Sequence, residues 1–116
     1  MNADDLRRCC LGKPGALEDF PFGEQVSVFK VAGKMFALSD LDGMPLEVSL
    51  KCDPELAQAL RAQHPAIRAG YHLNKRHWNT VTMDGTIDDD EIEEMIQDSY
   101  DLVVASLTRA QREGLA

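Results

Sequence analysis

The sequence lacks any apolar run approaching the roughly 18–20 residues that a helix needs to cross a bilayer. Its first ten residues, MNADDLRRCC, carry acids where a secretory signal would carry bases, and no apolar segment follows them. Cysteine is scarce: Cys9 and Cys10 are adjacent, Cys52 is distant, and the odd count makes no disulfide framework. These absences predict a cytoplasmic protein that makes no membrane contact.

Motifs for catalysis and for bound cofactors are also missing. The chain has no GxSxG, no HExxH, no Cys-His signature, and no glycine-rich phosphate loop that follows a strand. Its histidines, His64, His72 and His77, are linked to no Ser or Cys by any motif, and a zinc site would need further ligands at set spacing. We therefore predict a non-enzymatic protein with no cofactor and no metal site.

The net charge of −8 is distributed unevenly along the 116 residues. Segment 84–101 holds nine acids and no Lys or Arg, whereas the rest of the chain carries twelve bases and eleven acids. The overall acidity argues against indiscriminate nucleic-acid binding. Because the acids are concentrated in one segment, the total says little about the other surfaces. Weak cation binding by that segment stays open.

Hydrophobic periodicity predicts an α+β fold in the order α-β(3)-α-β(2)-α, an antiparallel sheet with helices packed on it. One domain is expected to span 1–116, with 109–116 either extending the last helix or fraying. Segment 12–23 is predicted as turn and loop. The predicted helices are Ala3–Leu11, 54–63 and 89–107, and the predicted strands are 25–31, 35–39, 46–51, 67–71 and 78–83.

Local signals define the predicted helix starts. Asn2 is placed to cap the first helix, and Asp53 to cap the second, with Pro54 at its first position. Asp88 and Glu91 fit a capping box for the last helix. In the second helix, the residues predicted to face the core are Leu56, Ala59, Leu60 and Gln63. In the last helix, three- and four-residue spacing predicts an inner stripe of Ile92, Met95, Ile96, Ser99, Val103 and Leu107.

One window stands out against the acidic background, because residues 67–83 contain no Asp or Glu. A basic loop between strands can place cations on phosphates and an aromatic or amide side chain against a base or sugar. The opposite interpretation is structural, with Trp78 packed on the core, Asn79 satisfying a turn, and the cations keeping a loop hydrated. The candidate nucleic-acid contacts are Lys51, Arg68, His72, Asn74, Lys75, Arg76, Trp78 and Asn79.

Several segments together resemble the MmcQ/YjbR family: PGALEDFPFG, VFKVAGKMFAL, VSLKCDPE, RAGYHLNKRHWNTV and SYDLVVASL. The resemblance extends from about Pro14 to Leu107, and GYHLNKRHW and SYDLV are its most specific parts. It implies a YjbR-like fold, similar to frataxin-like (CyaY-like) and secretion-chaperone shapes, in a small bacterial cytoplasmic protein. The family pattern covers Lys51, Tyr71, His72, Asn74, Lys75, Trp78, Ser99 and Tyr100.

The resemblance also implies a function. The family is described as DNA-binding through a double wing of two β-hairpin units, and it implies no enzyme activity. Our leading hypothesis is therefore a monomeric, non-enzymatic DNA-binding protein in which Lys51, Lys75 and Arg76 neutralise phosphates. The alternative hypothesis is a protein-interaction or chaperone-like module that binds a protein partner and no nucleic acid.

Overall fold

A computed structural model of the chain describes residues 1–70 and 73–115. Its helices pack on a six-stranded antiparallel sheet, so the predicted α+β class is confirmed. The elements in chain order are α1 (Ala3–Leu11), β1 (Ala16–Asp19), β2 (Ser27–Val31), β3 (Lys34–Ser39), β4 (Glu47–Lys51), α2 (Pro54–Gln63), β5 (Ile67–Ala69), β6 (Trp78–Thr82), α3 (Asp89–Ala105) and α4 (Arg109–Glu113).

The sheet order is β1-β2-β3-β4-β6-β5. Strands β1 to β4 form a meander, and α2 then carries the chain beyond β6, so that β5 becomes the second edge strand. Ala32 and Gly33 connect β2 to β3 with φ angles of 48° and 80°. Two positive φ values in a two-residue connection match the twist of the flanking strands, which is why this hairpin is tight.

The core lies between the sheet and the helices on one face. Phe29, Phe36 and Val48 project from the strands into a cluster that also contains Leu6 of α1 and Ile96 of α3. The predicted inner stripe of α3 is confirmed, since Ile92, Ile96, Ser99 and Val103 are all buried. The opposite face of the sheet carries no helix among the described residues, so it is free to form a surface.

The sequence interpretation assigned the residues of β1 to turn and loop. This prediction is wrong, because Ala16–Asp19 form a strand. Its alternation is reversed relative to an ordinary half-buried strand, because Leu17 is 69% exposed while Glu18 is half-buried. Polar contacts hold it instead: the Glu18 carboxylate accepts bonds of 2.8 Å from Arg7 Nε and from Ser27 Oγ. A hydrophobic pattern could not reveal a strand of this kind.

Two predictions about helices are also corrected. Asp88 precedes α3, but its side chain caps nothing, and Glu91 Oε1 lies 2.9 Å from His64 Nε2 rather than closing a capping box. In α2, Leu56 is 43% exposed, Ala59 and Gln63 are exposed as well, and the small Ala57 is buried instead, so the predicted inner face is wrong at these three positions. The segment after Leu107 neither frays nor extends α3; it turns and forms α4, with a capping box of its own.

None of the helices in the described part of the chain is long and apolar enough to cross a membrane.

The cysteine pair in α1 supplies a first testable prediction. Burial raises the pKa of the Cys10 thiol to about 12, and it also raises the pKa of Cys9, which is only partly buried. Because the thiolate is the reactive form, iodoacetamide at pH 8 should modify Cys10 roughly 1,000-fold more slowly in the native protein than in urea. Mass spectrometry of the modified peptides gives both rates.

Cys9 is the internal control, because its greater exposure predicts earlier modification in the same peptide. Equal native and unfolded rates at Cys10 would mean that α1 opens readily and that its burial against the sheet is not stable.

Candidate functional site

The basic loop between β5 and β6 is shaped by Asn74. The Asn74 side-chain oxygen accepts a 3.0 Å bond from the Arg76 N–H, and its carbonyl accepts bonds from the N–H groups of His77 and Trp78. This Asx-type turn leaves Lys75 and Arg76 exposed at the tip. The side chain and carbonyl of Asn74 thus fix the backbone of the loop, and the turn that they form places two cations in solvent.

Two further elements bring cations to the same end of the molecule. Arg61 Nη1, from the last turn of α2, donates a 3.0 Å bond to the Lys75 carbonyl. Lys51 ends β4 opposite Trp78, and the next N–H, that of Cys52, donates to the His77 carbonyl at 2.7 Å. We call Lys51, Arg61, Lys75 and Arg76 the cationic end. The ion pairs found among the described residues include none of the four.

Sequence reasoning missed Arg61. The relevant signal was the absence of an acid three or four residues away on either side, which leaves this helical arginine without an intrahelical partner. Its closeness to Lys75 is a tertiary relation that the pattern of the chain does not contain.

Arg68 does not join the cationic end, although it was predicted there. Its guanidinium forms two bonds to the Glu47 carboxylate, which also accepts a 2.9 Å bond from Thr82 Oγ1. The Arg68 side chain holds the pKa of Glu47 below its ordinary value. Glu47 and Lys51 lie at opposite ends of β4. The charge of Arg68 is therefore neutralised by Glu47, and it lies away from the end of β4 that carries Lys51.

Trp78 and Asn79 are buried, with 8% and 3% of their surfaces exposed. Asn79 Nδ2 donates to the Ala57 carbonyl at 3.3 Å, tying β6 to α2. A Cβ atom at position 70 would lie 2.8 Å from the Trp78 Cβ, so a side chain larger than that of Gly70 does not fit beside Trp78. This burial argues against the direct ligand contacts predicted for both side chains. His72 lies outside the described residues.

The acids of segment 84–101 form no metal centre with their neighbours in the described ranges, where no group of three or more His, Cys, Asp or Glu side chains could hold an ion. Most of them point outward from α3. Near the cationic end, Asp53 and Asp98 lie close enough to Cys52 to add to the effect of burial in raising the pKa of its thiol. The cations therefore face solvent on the loop side and border acids on the α3 side.

Comparison with known proteins gives a consistent result. The model of the YjbR family matches residues 11–102, most of the chain. The chain belongs to the YjbR family. It is 37% identical over 114 residues to the uncharacterized protein YjbR of Escherichia coli strain K12, which covers 97% of this chain and 96% of that protein. The uncharacterized protein YbdF of Escherichia coli O157:H7 is 36% identical over 111 residues, covering 95% of this chain and 90% of that protein.

Solved structures show the same YjbR-family fold. The crystal structure of the Deinococcus radiodurans protein DR2400 superposes with a TM-score of 0.92 at 46% identity, covering 98% of this chain and 87% of that one. A Pseudomonas syringae crystal structure gives a TM-score of 0.75 at 30% identity, covering 88% of this chain and 98% of that one. The resemblance inferred from the sequence segments is thus confirmed.

Family membership fixes the fold, and it leaves the ligand open, because both YjbR and YbdF are named as uncharacterized. The geometry shows that several residues of the most specific family segments have structural roles. Within GYHLNKRHW, Asn74 shapes the loop and Trp78 is buried; within SYDLV, Ser99 and Tyr100 are buried in the core. Among the described residues of GYHLNKRHW, the exposed cations Lys75 and Arg76 remain available to a ligand, and within SYDLV Asp101 and Leu102 are exposed.

Proposed function

We propose that this YjbR-family protein is a cytoplasmic, non-enzymatic, monomeric protein that binds DNA through the cationic end. The observation that supports this most is the bond from Arg61 to the Lys75 carbonyl, since it holds cations from α2 and from the β5–β6 loop at one place. Four such groups can each approach a phosphate, and phosphate contacts supply most of the affinity of nonspecific complexes.

The mode of binding follows from which side chains are exposed. Lys75 and Arg76 stand on the loop in the manner of a wing, whereas Trp78 and Asn79 are buried and Arg68 is paired with Glu47. With Trp78 and Asn79 buried, the described part of this surface offers mainly cations, which contact the sugar-phosphate backbone and do not distinguish base edges. We therefore expect little sequence preference, and we expect the acids of α3 to keep the duplex on the loop side.

The test is fluorescence anisotropy with a short labelled DNA duplex and with the same sequence as a single strand. Lys75→Ala/Arg76→Ala should weaken binding to both, because it removes two exposed cations without touching the core. Arg109→Ala/Arg112→Ala is the matched control: it removes the same charge from the exposed helix α4. Equal affinities for the two double variants would reject the cationic end as the binding surface.

The protein-interaction hypothesis is the second candidate, and one observation favours it. Leu56 of α2 and Leu102 of α3, 43% and 37% exposed, border a hollow of about 390 Å³ that Asp53, Asp98 and Asp101 also line. Exposed leucines among acids suit a partner segment with apolar side chains flanked by Lys or Arg. A synthetic amphipathic leucine–lysine peptide should bind there and should lose affinity with Leu56→Ser. Peptide binding without any DNA binding would support the protein-interaction hypothesis, with this hollow as the binding site.

A further inference from the structure

The helix-free face of the sheet contains a groove that is separate from the cationic end. Its floor is one row of residues paired across adjacent strands: Leu38 on β3, Ser49 on β4, Thr80 on β6 and Arg68 on β5. The groove has a volume of about 660 Å³. This lies within the range of about 300–1,000 Å³ that is usual for small-molecule sites.

The walls of the groove are mainly apolar. Loops on one side contribute Phe22, Val26, Met44 and Pro45, and the start of the basic loop contributes Leu73 on another. Phe22 is 61% exposed and Met44 is 96% exposed. Apolar side chains gathered around a concavity, with much of their surface in water, are typical of binding sites rather than of inert surface.

The floor offers a hydrogen-bond donor to a bound molecule. Ser49 Oγ and Thr80 Oγ1 lie 2.8 Å apart, and either can donate to the other. Because two hydroxyl groups carry two protons and their mutual bond uses one, the second proton is left to donate. Thr80 is only 4% exposed, so an acceptor that reaches it would be largely desolvated, where a hydrogen bond is strongest.

The charges in the groove select against ions. Arg68 is neutralised by Glu47, and the other ionisable side chain among the described lining residues, Asp40, is negative and accepts the Asp42 N–H at 3.0 Å. An anion would meet no unpaired cation from these residues. A cation would have to lose its hydration against apolar walls, with only the exposed Asp40 as a partner.

We propose that this groove binds a neutral small molecule with an apolar body and a carbonyl-type acceptor, which takes its hydrogen bond from the Ser49–Thr80 pair. A peptide strand is a poorer occupant, because the groove lies on the face of the sheet and three of its four floor strands, β3, β4 and β6, are already paired with both neighbours. The site therefore recognises its ligand by shape, by apolar contact and by one polar group.

The chain offers a matched pair of variants for the test. Phe22 lines the groove, whereas Phe20, two residues earlier and 47% exposed, is not among its lining residues. The probe is Prodan, a neutral naphthalene ketone whose emission shifts to the blue in an apolar site. Phe22→Ala should weaken Prodan binding roughly tenfold, and Phe20→Ala should change it less than about twofold.

Two further readouts locate the probe and its polar contact. Trp78, the only tryptophan, lies on β6 two residues before Thr80, so excitation of Trp78 should transfer energy to bound Prodan. Ser49→Ala/Thr80→Val removes both hydroxyls and should move the emission of bound Prodan further to the blue, because its carbonyl loses a donor. Circular dichroism checks that each variant is folded. Absence of blue-shifted emission, absence of energy transfer, or an equal loss with Phe20→Ala would overturn the proposal.

Discussion

Replacing Ser99 with alanine is expected to lower the free energy of unfolding by about 2–6 kcal/mol. Ser99 is fully buried in α3, and its hydroxyl donates to the Phe36 carbonyl at 2.6 Å and accepts from the Lys51 N–H at 2.9 Å. The change to alanine removes one oxygen and leaves two buried backbone groups without a partner. Each such group costs about 1–3 kcal/mol, far more than the removed hydroxyl contributes by itself.

The position of Ser99 explains why two groups depend on it. Strands β3 and β4 pair Leu38 with Ser49 and Ala37 with Leu50, and the next pair in that register would join Phe36 to Lys51. At that point the Ser99 hydroxyl lies between the strands and bridges them, so α3 completes the ladder. Ser99→Ala should therefore weaken the attachment of β4 to β3 at the end of β4 that carries Lys51.

Urea unfolding followed by circular dichroism measures the effect, and Ser106→Ala is its control. Ser106 follows the same helix, is exposed, and donates to the Val103 carbonyl at 2.6 Å, so its loss should cost less than about 0.5 kcal/mol. A Ser99→Ala protein as stable as the Ser106→Ala protein would show that water or a local shift satisfies the Phe36 and Lys51 backbone groups.

Tyr100, the second residue of the SYDLV segment, has a similar structural role. Its ring packs edge-on against Phe36, with centroids 5.4 Å apart, and its hydroxyl donates to the Pro14 carbonyl at 2.5 Å. Ser99 thus joins α3 to β3 and β4, while Tyr100 joins it to the turn before β1. The segment that most strongly marks the family holds the sheet and the N-terminal region to α3.

The elements that the sequence predicted are those with a periodic apolar face or a helix cap. The stripe through Ile92, Ile96 and Val103 could be identified because each helical turn repeats the signal. Strand β1 could not, since Glu18 is held by Arg7 and Ser27 rather than by apolar burial. Local pattern carries information about local burial, and it carries none about polar partners that are distant in the chain.

The candidate site shows the same division. Lys75 and Arg76 were predicted from an acid-free loop and are exposed, as the loop's composition indicates. Membership of Arg61 and exclusion of Arg68 depend on which carbonyl and which carboxylate each guanidinium reaches in three dimensions. Neither Arg61 nor Arg68 has an acid three or four residues away in the sequence, yet Arg68 is paired with Glu47, so the partner of an arginine is set by tertiary structure.

The affinity for duplex DNA is expected to fall roughly 150-fold between 50 and 200 mM salt, because the cationic end can neutralise about four phosphates and each contributes about −0.9 to the log–log slope. Lys75→Ala/Arg76→Ala should leave about two contacts, a slope near −1.8 and a fall of only about 12-fold over the same range. The slope is more informative than affinity at one salt concentration, since it counts released counterions and depends little on long-range repulsion by the acids of α3.

Anisotropy titrations at four or five salt concentrations measure this slope for the unmodified protein and for both double variants. Arg109→Ala/Arg112→Ala should shift the whole line slightly and keep its slope, because these side chains on α4 are not part of the cationic end. A slope near zero in the unmodified protein would remove DNA as a ligand. An unchanged steep slope in Lys75→Ala/Arg76→Ala would place the phosphates on another surface, and would leave the β5–β6 loop with only its structural role.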